Sequence, residues 1–564
     1  MDLKKVDKTF AVSPQITAAE VAELAQQGYK TIICNRPDGE GNDQPLFHEI
    51  EEAAGKFGLQ VHYLPVVSGA VTDEDADKFA EAFESAPKPV FAYCRSGTRS
   101  ITLWSLSRAG KMPLADILVA AKGAGYDMSG VVRRIANQGK TPSEAIDGKF
   151  QVVVVGAGSA GIAVASSLLA RAPDLDIAIV DPADIHYYQP GWTLVGGGVF
   201  HADETVRTLS SVLPKEVHWI KSAVAAFEPE RNVVLLEGCR AIQYDRLIVC
   251  PGLKLDWHKV DGLVDTLGKN GVTSNYRFDL APYTWQLVKN LKAGTALFTQ
   301  PPMPIKCAGA PQKAMYLSAD HWFRSGVLDH IDIAFYNAGG VLFGVKDYVP
   351  ALMDYVEKYE ADLKFNHNLV AVDGPAKQAW FDQTDADGKV ARVERRFDMI
   401  HVCPPQCAPD FIRVSPLADQ AGWVDVDQNT LRHKSYDNVW SLGDVMNAPN
   451  AKTAAAARKQ APVVAQNVLA DIGGPGGRNV VVGHYDGYGS CPLTVERGKI
   501  VLAEFGYGGK VLPSFPGWLI NGKRPSRLAW LLKEKILPPI YWQAMLRGKE
   551  WLAKPEPTKP EVVN

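Results

Sequence analysis

Through residue 112 the chain alternates short runs of strand-forming residues with stretches of helical periodicity. Thr31 to Cys34, Val61 to Val67 and Val90 to Tyr93 read as buried strands, and Ala18 to Gln27 as a helix. That rhythm predicts a small α/β domain over residues 1–112. From Pro113 to Gly148 the pattern becomes polar and helical and closes on Gly139-Lys140-Thr141-Pro142-Ser143, which predicts a helical linker over 113–148. A second unit, 149–564, opens abruptly with the strand formers Phe150 to Val155. No internal repeat interrupts it, and low complexity is confined to a Gly/Pro-rich patch at Gly473 to Gly477 and a Pro/Lys/Glu tail after Lys554.

A chain of 564 residues exceeds what one hydrophobic core organises, consistent with at least two domains. Hydrophobic residues at 46% and charged residues at 22% argue against disorder or a fibre, and a net charge of -3 gives no electrostatic reason to expect nucleic acid. The eight cysteines (34, 94, 239, 250, 307, 403, 407, 491) are too dispersed for a small secreted disulfide scaffold, so a reducing compartment is expected. Residues 1–8 lack the apolar stretch of a secretory signal, and no apolar run approaches the roughly 18 residues of a membrane span, predicting a soluble or peripheral protein. No metal site is expected.

The strand at Phe150 to Val155 runs into Gly156-Ala157-Gly158-Ser159-Ala160-Gly161 and then a helix over Ile162 to Arg171. Glycines in this order allow a tight turn, and the helix start offers free N–H groups and positive dipole to a pyrophosphate. Ile177 to Val180 gives the next strand, and Asp181, 20 residues past the third glycine, is placed to accept a ribose hydroxyl. A second element favours FAD over NAD. After the strand Asn438 to Leu442 come Gly443-Asp444 and Lys452-Thr453-Ala454, a Gly-Asp pair and helix start of the kind that flavoproteins with two dinucleotide domains set against the ribityl chain and the pyrimidine edge. Where such enzymes often carry a second glycine loop for NAD(P)H, the strand Thr295 to Thr299 leads instead into Pro301-Pro302-Met303-Pro304-Ile305-Lys306-Cys307. A proline-rich turn cannot cradle a pyrophosphate in the same way, and Cys307 becomes the redox candidate, with Lys306 beside it to lower its pKa. The fold class expected is α/β, with two Rossmann-like domains following the small N-terminal one.

Several segments between about 150 and 550 resemble the sulfide:quinone oxidoreductases, in particular the group that includes the mitochondrial enzyme. They are His186-Tyr187-Tyr188-Gln189-Pro190-Gly191-Trp192, Lys306-Cys307-Ala308-Gly309-Ala310-Pro311-Gln312-Lys313, Ala421-Gly422-Trp423-Val424-Asp425, Tyr485-Asp486-Gly487-Tyr488-Gly489-Ser490-Cys491-Pro492-Leu493 and Met545-Leu546-Arg547-Gly548. The resemblance implies bound FAD, oxidation of hydrogen sulfide to sulfane sulfur, transfer of that sulfur to a low-molecular-weight acceptor, and delivery of the electrons to a quinone. It implies that Cys307 is one member of a redox-active cysteine pair beside the flavin. The family's second cysteine directly follows the Gly-Asp element, where this chain has Val445. Cys403 and Cys407 are the replacement candidates; Cys239 and Cys250 read as structural thiols. The resemblance further implies monotopic attachment to a membrane surface through an amphipathic segment at 526–551, interrupted by Pro538 and Pro539, with the protein on the cytoplasmic, inner face. A docking helix that merely covers the core is the alternative for this segment. A homo-oligomer is left open.

In the first domain the strand Val90 to Tyr93 ends in Cys94-Arg95-Ser96-Gly97-Thr98-Arg99 before a helix over Ser100 to Arg108. A cysteine so placed is held by backbone N–H groups at a helix start, which stabilises a thiolate and binds an anion. Four residues separate Cys94 from Arg99, one fewer than in tyrosine phosphatases, and the tighter ring resembles a rhodanese active-site loop. The rest of the domain resembles a small phosphatase-like family found fused to sulfur-handling enzymes in bacteria. Sulfur transfer, phosphatase action, with Asp73 or Asp75 as general acid, and an inactive anion-binding module are the readings open here. For the whole chain the competing readings are a quinone-linked NADH dehydrogenase and a redox-inactive flavoprotein sulfur sensor.

Overall fold

Continuous apolar strands belong in a sheet covered on both faces, and the strands Phe10–Ser13, Thr31–Cys34 and Val90–Tyr93 are buried at every residue. In the computed structural model, which describes residues 1–41, 44–142, 146–238, 240–473 and 482–557, they form the centre of a five-stranded sheet. Its order is Lys4–Lys5, Phe10–Ser13, Val90–Tyr93, Thr31–Cys34, Gln60–Tyr63, with the last four parallel and the first antiparallel. Ser143, Cys239, residues 474–477 of the Gly/Pro patch and the tail from 558 lie outside the described residues.

The chain divides into two compact units whose borders differ from the sequence expectation. The first comprises Met1–Phe150 together with Ser222–Tyr244 and Asp410–Ala418. One face of its sheet packs on Val21, Leu24, Ile50 and Ala54; the other packs on Phe79, Phe83 and the helix Thr98–Arg108, buried from Arg99 to Ser107. The stretch read as a linker is not a solvated connector. Its helices Leu114–Gly123 and Val132–Ala136 bury Leu114, Ile117, Leu118, Val132 and Ile135 in the same core as Ala225, Val233 and Leu235. Arg133 fastens this layer by donating to both carboxylate oxygens of Glu228.

The second unit holds Gln151–Lys221, Asp245–Pro409 and Asp419–Asn564. Its first sheet places His218–Ile220, Ile177–Val180, the strand ending at Val155, the strand ending at Val249 and Val439–Ser441 side by side. A second, all-parallel sheet runs Val272–Thr273, Met399–His401, Gly294–Gln300, Ile331–Asn337, Asp362–Phe365. This is the expected pair of doubly wound sheets. An antiparallel hairpin, Gly489–Glu496 with Lys499–Phe505, packs Cys491, Leu493 and Val495 onto Ala314 and Met315 of the helix Ala310–Arg324. That contact carries the hairpin to the start of the helix, where Cys307 lies.

Candidate active site

The glycine turn is built to admit backbone and nothing larger. Gly156 has φ +100°, and a Cβ there would stand 2.6 Å from the Cys250 carbonyl oxygen; a Cβ on Gly161 would stand 1.8 Å from the Gly156 oxygen. Gly158, by contrast, faces open space within 4 Å. The helix Ser159–Arg171 begins here, so the first-turn N–H groups of Ser159, Ala160 and Gly161 point outward without intrahelical partners. Asp181 braces the turn, accepting from the Ala157 N–H at 2.7 Å and the Ala183 N–H at 2.8 Å, and its carboxylate keeps further lone pairs for a ribose hydroxyl. Cys250 packs against the turn as an apolar filler, its thiol pushed up by burial.

At the second motif Gly443 takes φ +80° and donates its N–H to Gln460 at 2.8 Å. Lys452 turns inward rather than toward a ligand: its Nζ donates to the Asp444 and Met446 carbonyls at 2.7 and 2.8 Å, and burial lowers it to about 8. Thr453 caps the helix Ala454–Ile472 by accepting from the Ala456 N–H. Both amide atoms of Asn275, beside the helix Trp192–Gly196, are buried without a hydrogen-bond partner. A glycine turn without side-chain room, an open anion-binding helix start and an unmet buried amide fit a dinucleotide with many polar atoms, as FAD is. The Ser159–Ala160–Gly161 turn and Asp181 would hold its pyrophosphate and ribose, and the Gly443-Asp444 turn its far end.

Cys307 sits where the second glycine loop is missing. It has φ +50°, an uncommon conformation for a residue with a Cβ. The turn is fixed from both sides: the Cys307 N–H donates to the Lys452 carbonyl at 2.9 Å, and its own carbonyl accepts from the Ala310 N–H at 2.7 Å. Its sulfur meets two partners, the Cys491 sulfur at 3.8 Å and the Lys313 Nζ, which donates at 3.2 Å. The hydrogen bond from the Cys491 thiol, together with the Lys313 charge, outweighs burial and holds Cys307 well below the usual thiol range. The same shared bond and burial push Cys491 up, so the pair keeps its proton on Cys491 and its thiolate on Cys307. Lys533 approaches from the C-terminal segment; it is buried and donates to Thr494 Oγ1 at 3.1 Å on the hairpin that carries Cys491.

One expectation is corrected. Lys306 does not face Cys307: its Nζ donates to Gln189 at 2.6 Å and lies 3.5 Å from Asp444, and the cation at the sulfur is Lys313. Of the two replacement candidates, Cys403 lies in the small apolar cluster of Tyr276 and Ile305 against which Cys307 packs; its thiol accepts from Gln406 at 3.7 Å, and burial pushes it up to about 12. Cys407 is held in a short strand paired with Lys254. Cys491 was passed over because its closeness comes from packing of the hairpin on the helix, although it lies inside one of the segments that carry the family resemblance.

In the first unit Cys94 is buried, and its sulfur accepts the Gly97 N–H at 3.1 Å. Gly97 takes φ +88°, and a Cβ there would stand 1.9 Å from the Tyr126 hydroxyl, so the loop cannot carry a side chain at this point. Arg99 donates to the Val66 carbonyl at 2.7 Å and to Glu40 at 2.8 Å; Glu40 also accepts from Arg36 at 2.8 Å. Held first by Arg99 and then by Arg36, Glu40 stays below the usual carboxylate range and ionised. The two acids considered for phosphatase action are otherwise engaged. Asp73 accepts from Arg134 and Thr141, and Asp75 closes a capping box with Thr72.

The C-terminal segment is helical through its prolines. Arg527–Leu531 passes through a π turn at Leu532–Ile536 into Leu537–Gln543, and the wider turn absorbs the N–H groups that Pro538 and Pro539 lack. Its Tyr541 bonds Ser159 Oγ and His186 Nε2, both at 2.6 Å. Leu528, Leu531 and Ile536 are exposed on the outer side. Among the described residues no helix is long and apolar enough to cross a membrane.

Residues 150–461 match the pyridine nucleotide-disulphide oxidoreductase family, and residues 2–111 the phosphatase-like domain of beta-lactamase hydrolase-like proteins. The mitochondrial sulfide:quinone oxidoreductase of Dictyostelium discoideum is 42% identical over 409 residues, covering 72% of this chain and 87% of the relative. That of Mus musculus is 38% identical over 399 residues, covering 71% and 87%. The X-ray structure of the sulfide:quinone oxidoreductase from Aquifex aeolicus superposes with a TM-score of 0.58 at 18% identity, covering 71% of this chain and 92% of that one, a likeness of fold. With the glycine turn, the Gly-Asp element and the cysteine at 307 all in place, the chain belongs to the sulfide:quinone oxidoreductase family, preceded by a phosphatase-like domain of the beta-lactamase hydrolase-like type.

Proposed function

We propose that this protein oxidises hydrogen sulfide at Cys307, passes the electrons through FAD to a quinone, and hands sulfane sulfur to an acceptor. The observation that carries the reading is the Cys307 sulfur, with the Cys491 sulfur at 3.8 Å and the Lys313 Nζ at 3.2 Å both favouring its thiolate, in the place of a nicotinamide-binding loop. A thiolate is the form that attacks and carries sulfur. Bound FAD supplies the two-electron acceptor and the route to quinone. The chain's own residues position the sulfur by fixing the turn at Lys452 and Ala310, hold its charge with Lys313, and keep a proton nearby on Cys491. Quinone access at a membrane surface is supported by the exposed Leu528, Leu531 and Ile536 of the C-terminal helix and by the exposed Trp518. Anaerobic stopped-flow reduction of the flavin by sulfide tests the activity: the parent is reduced rapidly and Cys307→Ser at least about 100-fold more slowly. Equal rates refute the assignment of Cys307, and flavin reduction by NADH instead of sulfide refutes the reading.

For the first unit the reading is sulfur transfer through a Cys94 persulfide, with Arg99 as the loop's fixed cation. The four-residue ring supports it, as does the engagement in hydrogen bonds of Asp73 and Asp75, the two acids weighed for protonating an alcohol. Thiosulfate-to-cyanide sulfur transfer that vanishes in Cys94→Ser is the expected result; hydrolysis of p-nitrophenyl phosphate without sulfur transfer refutes it.

A further inference from the structure

The C-terminal segment has two faces. Its outer one carries the exposed Leu528, Leu531 and Ile536; its inner one lies along the helix Ser159–Arg171, whose first turn is the anion-binding end of the glycine loop. Contact runs the length of that helix. At its start the Ser159 and Tyr541 hydroxyl oxygens are 2.6 Å apart; halfway along, Ser166 Oγ donates to the Leu546 carbonyl at 3.0 Å; at its end Arg171 Nη2 donates to Glu550 at 2.8 Å. A Cβ on Gly548 would stand 2.5 Å from the Ser166 carbonyl oxygen, so backbone meets backbone there with no side chain between.

Tyr541 is the contact nearest the glycine turn. Its ring is buried against Tyr188 and Trp542, and its oxygen has a second partner, His186 Nε2, at 2.6 Å. A phenol donates one hydrogen bond, so the direction of each bond can be worked out. His186 Nδ1 faces the Ala157 carbonyl at 3.3 Å, and a carbonyl only accepts; burial lowers this histidine to about 4, so the neutral ring carries its proton on Nδ1 and leaves Nε2 to accept. Tyr541 therefore donates to His186 and accepts from Ser159. With the Ser159 hydroxyl proton committed to Tyr541, that residue meets an anion through its free backbone N–H. Two residues of one glycine turn, Ala157 through its carbonyl and Ser159 through its hydroxyl, are tied in this way to a single phenol that lies 382 residues beyond Ser159 in the chain.

We propose that Tyr541 is a positioning residue of the FAD site: by fixing Ala157 and Ser159 it holds the pyrophosphate-binding turn in shape, so that seating of the C-terminal segment and retention of FAD stabilise each other. Such coupling is reciprocal, because whatever the seated segment adds to flavin affinity, bound flavin adds to the seating. The inference concerns flavin binding alone and stands whichever substrate reduces the flavin.

Dilution of the holoenzyme, with released flavin read by its fluorescence at equilibrium, gives the Kd for FAD. Tyr541→Phe keeps the ring and removes both hydroxyl bonds; it is expected to raise the Kd about 10-fold, and Ser159→Ala to do about the same. Because the two changes delete one shared bond, the double variant is expected to lose no more than about 3-fold beyond either single one. A parental Kd in Tyr541→Phe, or losses that multiply to about 100-fold in the double variant, overturns the proposal. Tyr348→Phe, which removes a buried hydroxyl bonded to the Glu504 carbonyl at 2.9 Å, controls for general loosening, and a Kd raised as far there overturns it as well. The unaltered chain supplies a second measurement, amide hydrogen exchange over residues 537–547 before and after FAD is stripped. The expected result is acceleration of at least about 10-fold, beyond that of the strand Ile331–Asn337; acceleration no greater than in that strand overturns the proposal.

Discussion

Replacing Lys313 by Met removes one charge from the reactive sulfur while keeping the length of the side chain. At 3.2 Å the attraction between ammonium and thiolate comes to about 5 kcal/mol at an effective dielectric of 20. Both groups must give up water to meet, and Lys313 is buried, so the net worth falls to about 1.5–3 kcal/mol, the range of a hydrogen bond to a charged group. At 1.36 kcal/mol per decade this is about 10-fold to 100-fold in the ionisation constant, or about one to two pH units in the titration of residue 307. The Cys491 hydrogen bond survives the substitution, so depression of the Cys307 pKa is reduced and not abolished. The sign follows from the acid form being neutral: losing the cation moves the rise of the labelling rate to higher pH. The assay is the rate of iodoacetamide labelling of residue 307 in pre-reduced protein, resolved by peptide mass spectrometry from pH 5 to 9. The expected result is a rate profile displaced to higher pH by about one to two units, with the parental rate recovered in alkali. A superimposable pH profile, in a variant of unchanged Tm, refutes the charge argument.

Other perturbations reach separate parts of the site. Gly161→Ala puts a methyl 1.8 Å from the Gly156 carbonyl oxygen, and the displaced turn is expected to lose FAD on gel filtration, seen as a fall in flavin absorbance per chain. Tyr541→Phe strips buried His186 of its Nε2 partner, for an expected loss of about 1–3 kcal/mol in urea unfolding; an unchanged midpoint would show that the bond contributes nothing. Leu528→Asp with Leu531→Asp places two charges on the exposed apolar side of the C-terminal helix and is expected to cut co-sedimentation with anionic liposomes at least about 10-fold, with sulfide-driven flavin reduction in solution unaltered.

How much of this was legible in the sequence depends on the reach of each interaction. The glycine turn and its acid are local: strand, turn and helix follow within some thirty residues, and Asp181 lies at the end of the adjoining strand, so spacing alone located them. Cys307 was legible as a replacement for a missing motif. Lys306 misled because the chain turns at Cys307, φ +50°, and nearness along the chain does not bring its cation to the sulfur; Lys313, six residues on, returns to the sulfur by way of the helix begun at Ala310. Cys491 could not be paired from sequence, since nothing short of the hairpin packing on Ala314 and Met315 brings it near. The borders of the first unit were hidden for the same reason. Val233 and Ile117 share a core across more than one hundred intervening residues, and no pattern in either segment announces the other.

That interleaving sets a timetable for synthesis. The helices Leu114–Gly123 and Val132–Ala136 pack with Ala225, Val233 and Leu235, and the first of them also meets the segment at 410–418, where Val414 packs and the Arg413 carbonyl accepts from Lys122 at 3.0 Å. A ribosome must therefore deliver nearly three-quarters of the polypeptide before the amino-terminal unit can cover its own greasy flank. A stalled or truncated product ending between residues 150 and 221 carries that flank bare, and one ending between 245 and 409 still lacks the segment at 410–418, which marks such fragments for chaperone capture.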